Sequence, residues 1–201
     1  MAQLTGSEHA APAVSAARST PLALGVFALT TAILGSIFAG FIVPSVGAGI
    51  SLLAAIAFFG GLVQLLIGLW DLREEQTLTG TLFASYGGFL MMLGIIVAPS
   101  LGILTALGSA THPALGLFFL CWTIFAAIVF LSSLRMNIAL VITLALLLLS
   151  YLLLTIGELT GGSAAFLLIG GWLGIITGLA AWYTAFAALL TVGKGLFHLP
   201  M

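Results

Sequence analysis

Six apolar stretches run through the chain at 22–43, 47–70, 80–98, 113–131, 137–157 and 164–192. Each is close to the length of about 20 residues that a helix needs to cross the hydrocarbon of a bilayer. Nothing else in the sequence restricts the fold as strongly. The chain has 201 residues, 62% of them hydrophobic and 4% charged. A soluble domain carries roughly 25% charged residues, because its whole surface meets water. The expected fold is therefore an all-α integral membrane protein with six transmembrane helices. A net charge of −1 supplies no basic field for nucleic acid.

Prolines mark several edges of these stretches. Pro21 precedes the first and Pro44 closes it, Pro99 follows the third, and Pro113 opens the fourth. A missing N–H and a fixed φ are least costly at such positions. The domain limits follow as a polar N-terminal tail at 1–21, a six-helix membrane domain at 22–192 and a short tail at 193–201. The first twenty residues lack a basic start followed by an apolar run, so they read as a flexible tail and not as a cleavable signal. Arg18, Arg73, Arg135 and Lys194 fall in the tails and the even-to-odd loops, while the other three loops hold no Lys or Arg. Cations are retained on the cytoplasmic face, which predicts both termini cytoplasmic and a multi-pass protein of the cell membrane.

Small residues recur at helical spacing. Gly170, Gly174 and Gly178 share one face of the sixth helix, and Gly80, Ala84 and Gly88 one face of the third. Such faces let helix backbones approach closely in lipid. Cys121 reads as a small packing residue inside a helix. His9, His112 and His198 are far apart in tails or loops, and no metal-ligand or nucleophile motif occurs. Asp71, Glu74 and Glu75 read as a solvated loop. The chain is expected to be no enzyme, with no cofactor and no metal.

The spanning segments hold no central ionisable residue, which pumps and exchangers usually place there. They hold uncharged polarity instead: Thr30, Thr31, Gln64, Ser85, Tyr86, Thr123, Thr177 and Tyr183. A primary amide in lipid is costly without partners, so Gln64 is either a substrate ligand or an interhelical tie. Membrane Thr hydroxyls usually bond their own helix backbone. Phe27, Gln64, Tyr86 and Leu147 come from four helices at similar depth, in a layer roughly 9 to 15 Å from the cytoplasmic end.

Several segments resemble the acetate uptake transporter family, also called succinate–acetate permeases. The family's entry motif Asn-Pro-Ala-Pro-Leu-Gly-Leu is matched by Arg18-Ser-Thr-Pro-Leu-Ala-Leu24, with Arg18 and Ala23 as departures. Phe58-Phe59-Gly60-Gly61-Leu-Val-Gln64 is similar to its second-helix motif, and Thr77, Thr81, Phe83, Ser85, Tyr86, Gly87 and Phe89 follow in its third-helix order. Gly171-Trp172-Leu-Gly174 is similar to its last-helix run, while the acidic residue often found late in that helix is absent. The resemblance implies a homohexamer with a pore in each protomer, narrowed by Phe27, Tyr86 and Leu147. Substrate contacts are expected from Gln64, Thr30 and Tyr183.

The function expected is transport of acetate, with other short carboxylates such as succinate, together with a proton. A bare carboxylate in a narrow apolar ring loses its hydration, whereas the neutral acid avoids most of that cost. A passive anion channel and a non-transporting assembly subunit are the competing readings. The orientation is checked by thiol labelling after Cys121 is replaced. Cysteine placed near Gly161 should react with an impermeant reagent in intact cells, and cysteine near His9 or Gly195 should not. Labelling of both tails from outside overturns the assignment.

Overall fold

The computed structural model describes residues 20–41 and 48–192, and among these the chain is helical apart from short turns. The helices are α1 (Thr20–Phe38), α2 (Ala48–Arg73), α3 (Thr77–Val97), α4 (Ile103–Leu107), α5 (Thr111–Ser133), α6 (Ile138–Leu159) and α7 (Ala164–Val192). Six are long and apolar enough to cross a membrane, with α4 continuing into α5 as one span from Ile103 to Ser133. The six expected spans are therefore present. Large apolar side chains such as Phe59, Leu117, Leu131 and Leu179 stand exposed on the outside, as lipid-facing residues do. The expected tails at 1–21 and 193–201 lie almost wholly outside the described residues.

Neighbouring helices run antiparallel and form a ring in which α1 packs on α2 and α7, α2 on α3, α7 on α6 and α6 on α5. The ends where α1 begins and α7 stops share one side, called here the tail end; the opposite side is the far end. Backbone meets backbone at the contacts. A Cβ built on Gly35 of α1 would lie 2.5 Å from the Gly171 carbonyl oxygen and 2.6 Å from the Ile175 nitrogen of α7. One on Gly178 would lie 2.9 Å from the Ala28 carbonyl oxygen, and one on Gly61 of α2 would lie 2.6 Å from the Gly87 oxygen of α3. No larger residue fits these positions without parting the helices.

The small-residue faces are close to those expected, with a shift on α3. Gly80 and Ala84 face α2, but the third close approach is made by Gly87, and nothing lies near a Cβ on Gly88. On α7, Gly174 and Gly178 face α1, while Gly170 turns towards Leu153 and Leu154 of α6.

Local chemistry sets the helix ends, and it moves several of them. The Asn137 side chain accepts from the Leu140 N–H at 2.8 Å and starts α6, as an N-cap does. α1 stops at Phe38, before Pro44, in a turn with Gly40 at φ +61°. The α2 helix runs on to Arg73 and closes through Glu75, which takes a left-handed φ of 61° where glycine is usual. That extension corrects the solvated-loop reading of Asp71, which is buried in the last turns of α2. Cys121 also departs from its expected packing role, since it is exposed on the outer face of α5.

Candidate functional site

The centre of the helix ring is aromatic. Phe27 lies seven residues into α1, Tyr86 nine into α3 and Leu147 nine into α6, while Gln64 lies nine from the end of α2. At 1.5 Å per residue these side chains share a layer about 10 to 14 Å from the tail end. All four are buried. The rings of Phe27 and Tyr86 are 6.0 Å apart between centroids and tilted by 55°. Tyr86 also meets Phe125 at 6.0 Å and Trp122 at 6.2 Å on α5, and Tyr151 at 6.4 Å on α6. One tyrosine thus joins four helices, through pairs worth about 0.5–1.5 kcal/mol each beyond their buried area. Leu147 sits one turn from Tyr151 on α6, fully buried in the same apolar core as Phe27 and Tyr86.

A narrow cavity opens beside this layer. Phe27, Thr31, Tyr86, Phe89, Ser150 and Tyr151 are among its lining residues. It extends from the Phe27–Tyr86 pair towards the far end, because the lining residues of α1, α3 and α6 lie at or beyond that pair in chain order, and Gly171 and Gly174 come early in α7. Its volume is about 10 Å³, close to the least that holds one water. The Ser150 hydroxyl donates to the Gly170 carbonyl oxygen at 2.8 Å. The Tyr86 hydroxyl is buried with no hydrogen-bond partner among the described residues. A donor left in that state costs about 1–3 kcal/mol, which a carboxylic acid accepting from it would recover.

The remaining predicted residues divide. Gln64 is 0% exposed, and neither its Nε2 nor its Oε1 has a partner among the described residues. It shares the depth of the aromatic layer but does not line the cavity. Thr30 donates to the Phe27 and Val26 carbonyl oxygens at 3.0 and 3.1 Å, and its methyl group packs where a Cβ on Gly60 would stand. It therefore fits α1 to α2, and its neighbour Thr31 faces the cavity instead. Tyr183 departs furthest from expectation, standing 40% exposed on the outer face of α7. The inward face of α7 at this level is taken by Ala181, Thr184 and Ala185, which leaves the tyrosine ring outside. Among the described residues, no three His, Cys, Asp or Glu side chains gather as a metal site.

A profile of the GPR1/FUN34/yaaH family matches residues 2–201. The chain belongs to that family. Acetate permease A of Emericella nidulans is 33% identical over 201 residues, covering 92% of this chain and 65% of the permease. Succinate-acetate/proton symporter SatP of Escherichia coli K12 is 32% identical over 186 residues, covering 92% of this chain and 95% of the symporter. The chain spans less than two thirds of the length of the first fungal relatives it matches. A solved structure described as the bacterial acetate channel SatP superposes with a TM-score of 0.80 at 29% identity, over 93% of this chain and 99% of that one. The motif resemblance to acetate uptake transporters and the six-helix fold therefore stand together in this member of the GPR1/FUN34/yaaH family.

The residues missed in the sequence are Ser150, Tyr151 and Trp122, while Phe89 stood in the third-helix motif without an expected place at the site. Ser150 and Tyr151 separate Leu146–Leu149 from Leu152–Leu154, one turn from Leu147, which was a readable signal. Gln64 provides the sharpest test of the site. Gln64→Leu removes an amide that has no partner among the described residues, so the folded state should be unchanged or stabilised by about 1–3 kcal/mol. Acetate flux should fall about tenfold if the amide serves the cargo in place of helix packing, a loss of about 1.4 kcal/mol. Thermal unfolding and labelled-acetate uptake on the same preparation check both; flux at the unsubstituted rate would leave Gln64 with a packing role only.

Proposed function

We propose that this chain carries acetate, and other short carboxylates including succinate, across a bilayer with an accompanying proton. The path lies inside each protomer of a homohexamer, with both termini cytoplasmic as the one-sided cations favour. The observation that carries this reading is the buried cavity that ends at the Phe27–Tyr86 pair, beside an unpartnered tyrosine hydroxyl. The names of the acetate permease and the proton symporter among its relatives support the cargo and the coupling.

The chemistry of the pathway favours a neutral cargo. Phenyl and isobutyl groups from Phe27 and Leu147 supply no hydrogen bonds, so a carboxylate entering between them would be stripped of water without replacement. Acetic acid presents one donor and two acceptor positions, which a few hydroxyls satisfy. A cavity of water size cannot admit even this small acid unless side chains turn aside. Each molecule therefore passes by transient displacement of rings that otherwise seal the bundle. The description of the solved relative as a channel favours a second reading, in which the anion crosses passively through a wetted path.

Size selectivity tests the constriction. Phe27→Ala, Tyr86→Ala and Leu147→Ala each remove several carbons from the narrow layer and should raise propionate and butyrate flux relative to acetate by several fold. Tyr86→Phe should leave the size limit nearly intact and slow acetate by removing the hydroxyl donor. Rates are expressed per folded protein, since Phe→Ala in a core costs about 3–5 kcal/mol. An unchanged selectivity ratio in all three alanine variants removes the constriction from the account.

A further inference from the structure

Glu158 is a carboxylate in an unexpected place. It lies in the last turn of α6 with its side chain 4% exposed, and its Oε2 is 2.8 Å from Nδ1 of His112, whose ring is 49% exposed. His112 sits in the first turn of α5, whose dipole favours a negative neighbour, while the end of α6 that carries Glu158 opposes it. The two helix ends are held together by Gly116, since a Cβ there would lie 2.5 Å from Leu159 Cδ2. Gly162, in a left-handed turn at φ +83°, lies under the His112 ring, which occupies the place of a Cβ. Glu158 is also on the face of α6 that supplies Tyr151 and Leu154 to the cavity. It lies one helical turn past Leu154, about 6 Å along the axis.

We propose that His112 and Glu158 form a proton-delivery station at the far-end mouth of the pathway, protonating a carboxylate cargo before it reaches the aromatic layer. This rests on the reading that the cargo passes as the neutral acid. The half-exposed imidazole reaches bulk water, and the buried carboxylate stands beside the route. A bulk proton adds to His112 Nε2 while the Nδ1–H passes to Glu158 Oε2. Glu158 then gives that proton to a carboxylate oxygen of the cargo and becomes a carboxylate again. His112, left as the Nε2–H tautomer, resets through water, which supplies a proton to Nδ1 and takes one from Nε2, so the ring again carries its single proton at Nδ1. The net change is one bulk proton and one carboxylate anion converted to one neutral acid.

Among the described residues no other ionisable group competes at this site. The turns at 99–111 and 160–163 and the opening of α7 at 164–167 contain no Asp, Glu, Lys, Arg, His, Cys or Tyr. On α5 the next titratable side chain after His112 is the outward-facing Cys121, and on α6 it is Tyr151, two turns away. Arg73 and Arg135 lie at the tail end.

Uptake of labelled acetate into liposomes is measured across about pH 5 to 8 for the unsubstituted protein, Glu158→Gln, Glu158→Asp and His112→Gln. The ratio of variant to unsubstituted rate at each pH cancels the changing fraction of neutral acid. For Glu158→Gln the ratio should approach one at the acid end, where more cargo arrives protonated, and fall at least tenfold at the alkaline end. His112→Gln should follow the same trend, and Glu158→Asp should retain most of the alkaline rate. Glu158→Gln keeps the shape of the buried group without its charge; if it fails to reach the membrane, His112→Gln on the half-exposed side carries the test alone. A ratio that stays constant with pH in these variants means a structural clamp and overturns the proposal. An unsubstituted protein that moves no acetate at any pH overturns the transport reading instead.

Discussion

Close approach of helix backbones holds this molecule together. In lipid, apolar side chains gain nothing by leaving their solvent, so helices associate through packing and hydrogen bonds between them. Gly35 against Gly171, Gly61 against Gly87 and Gly178 against Ala28 bring peptide groups into direct contact at three places around the ring. The large side chains are thereby sorted. Those on the outside meet lipid, and those on the inside must fill a space whose diameter the glycine contacts have fixed. Phe27, Tyr86, Phe89, Phe119 and Leu147 fill it almost completely.

The same tightness shapes the function. A wide aqueous channel would let protons and ions pass freely, whereas a sealed aromatic layer passes only what its rings can yield to. The cavity next to it has a mixed lining, with Tyr86, Ser150 and Tyr151 among apolar neighbours. Such a surface suits a small acid with one polar end and one methyl group. It suits a charged, strongly hydrated ion poorly. In the proposed transport the proton is part of the cargo, and the pairing of His112 with Glu158 at the far end is the proposed source of it.

The architecture was legible because the bilayer imposes a length on every span, and this chain repeats that length six times. The shared depth of Phe27, Gln64, Tyr86 and Leu147 was also readable, since helix rise converts position into distance. Facing was not. Tyr183 and Thr30 have the right chemistry, but rotation about their helix axes sends one outside and fixes the other between α1 and α2. Rotation is set by which small residues meet, and one strand of sequence records both candidate faces of α3 equally well; Gly87 prevailed over Gly88. Likewise, the contact of His112 with Glu158 spans 46 positions, and nothing local to either residue announces it. The buried placement of Asp71 was hidden because the turn that closes α2 uses Glu75 in place of a glycine.

The proposed transport requires the acid to cross in its neutral form. Purified protein in liposomes, loaded with a pH-sensitive dye and given labelled acetate, measures acetate and proton entry together. Saturable uptake above that of empty liposomes is expected, with one proton entering with each acetate and no response to an imposed membrane potential. Acetate entry that tracks the potential, reverses at the acetate equilibrium potential and ignores the pH gradient would contradict it.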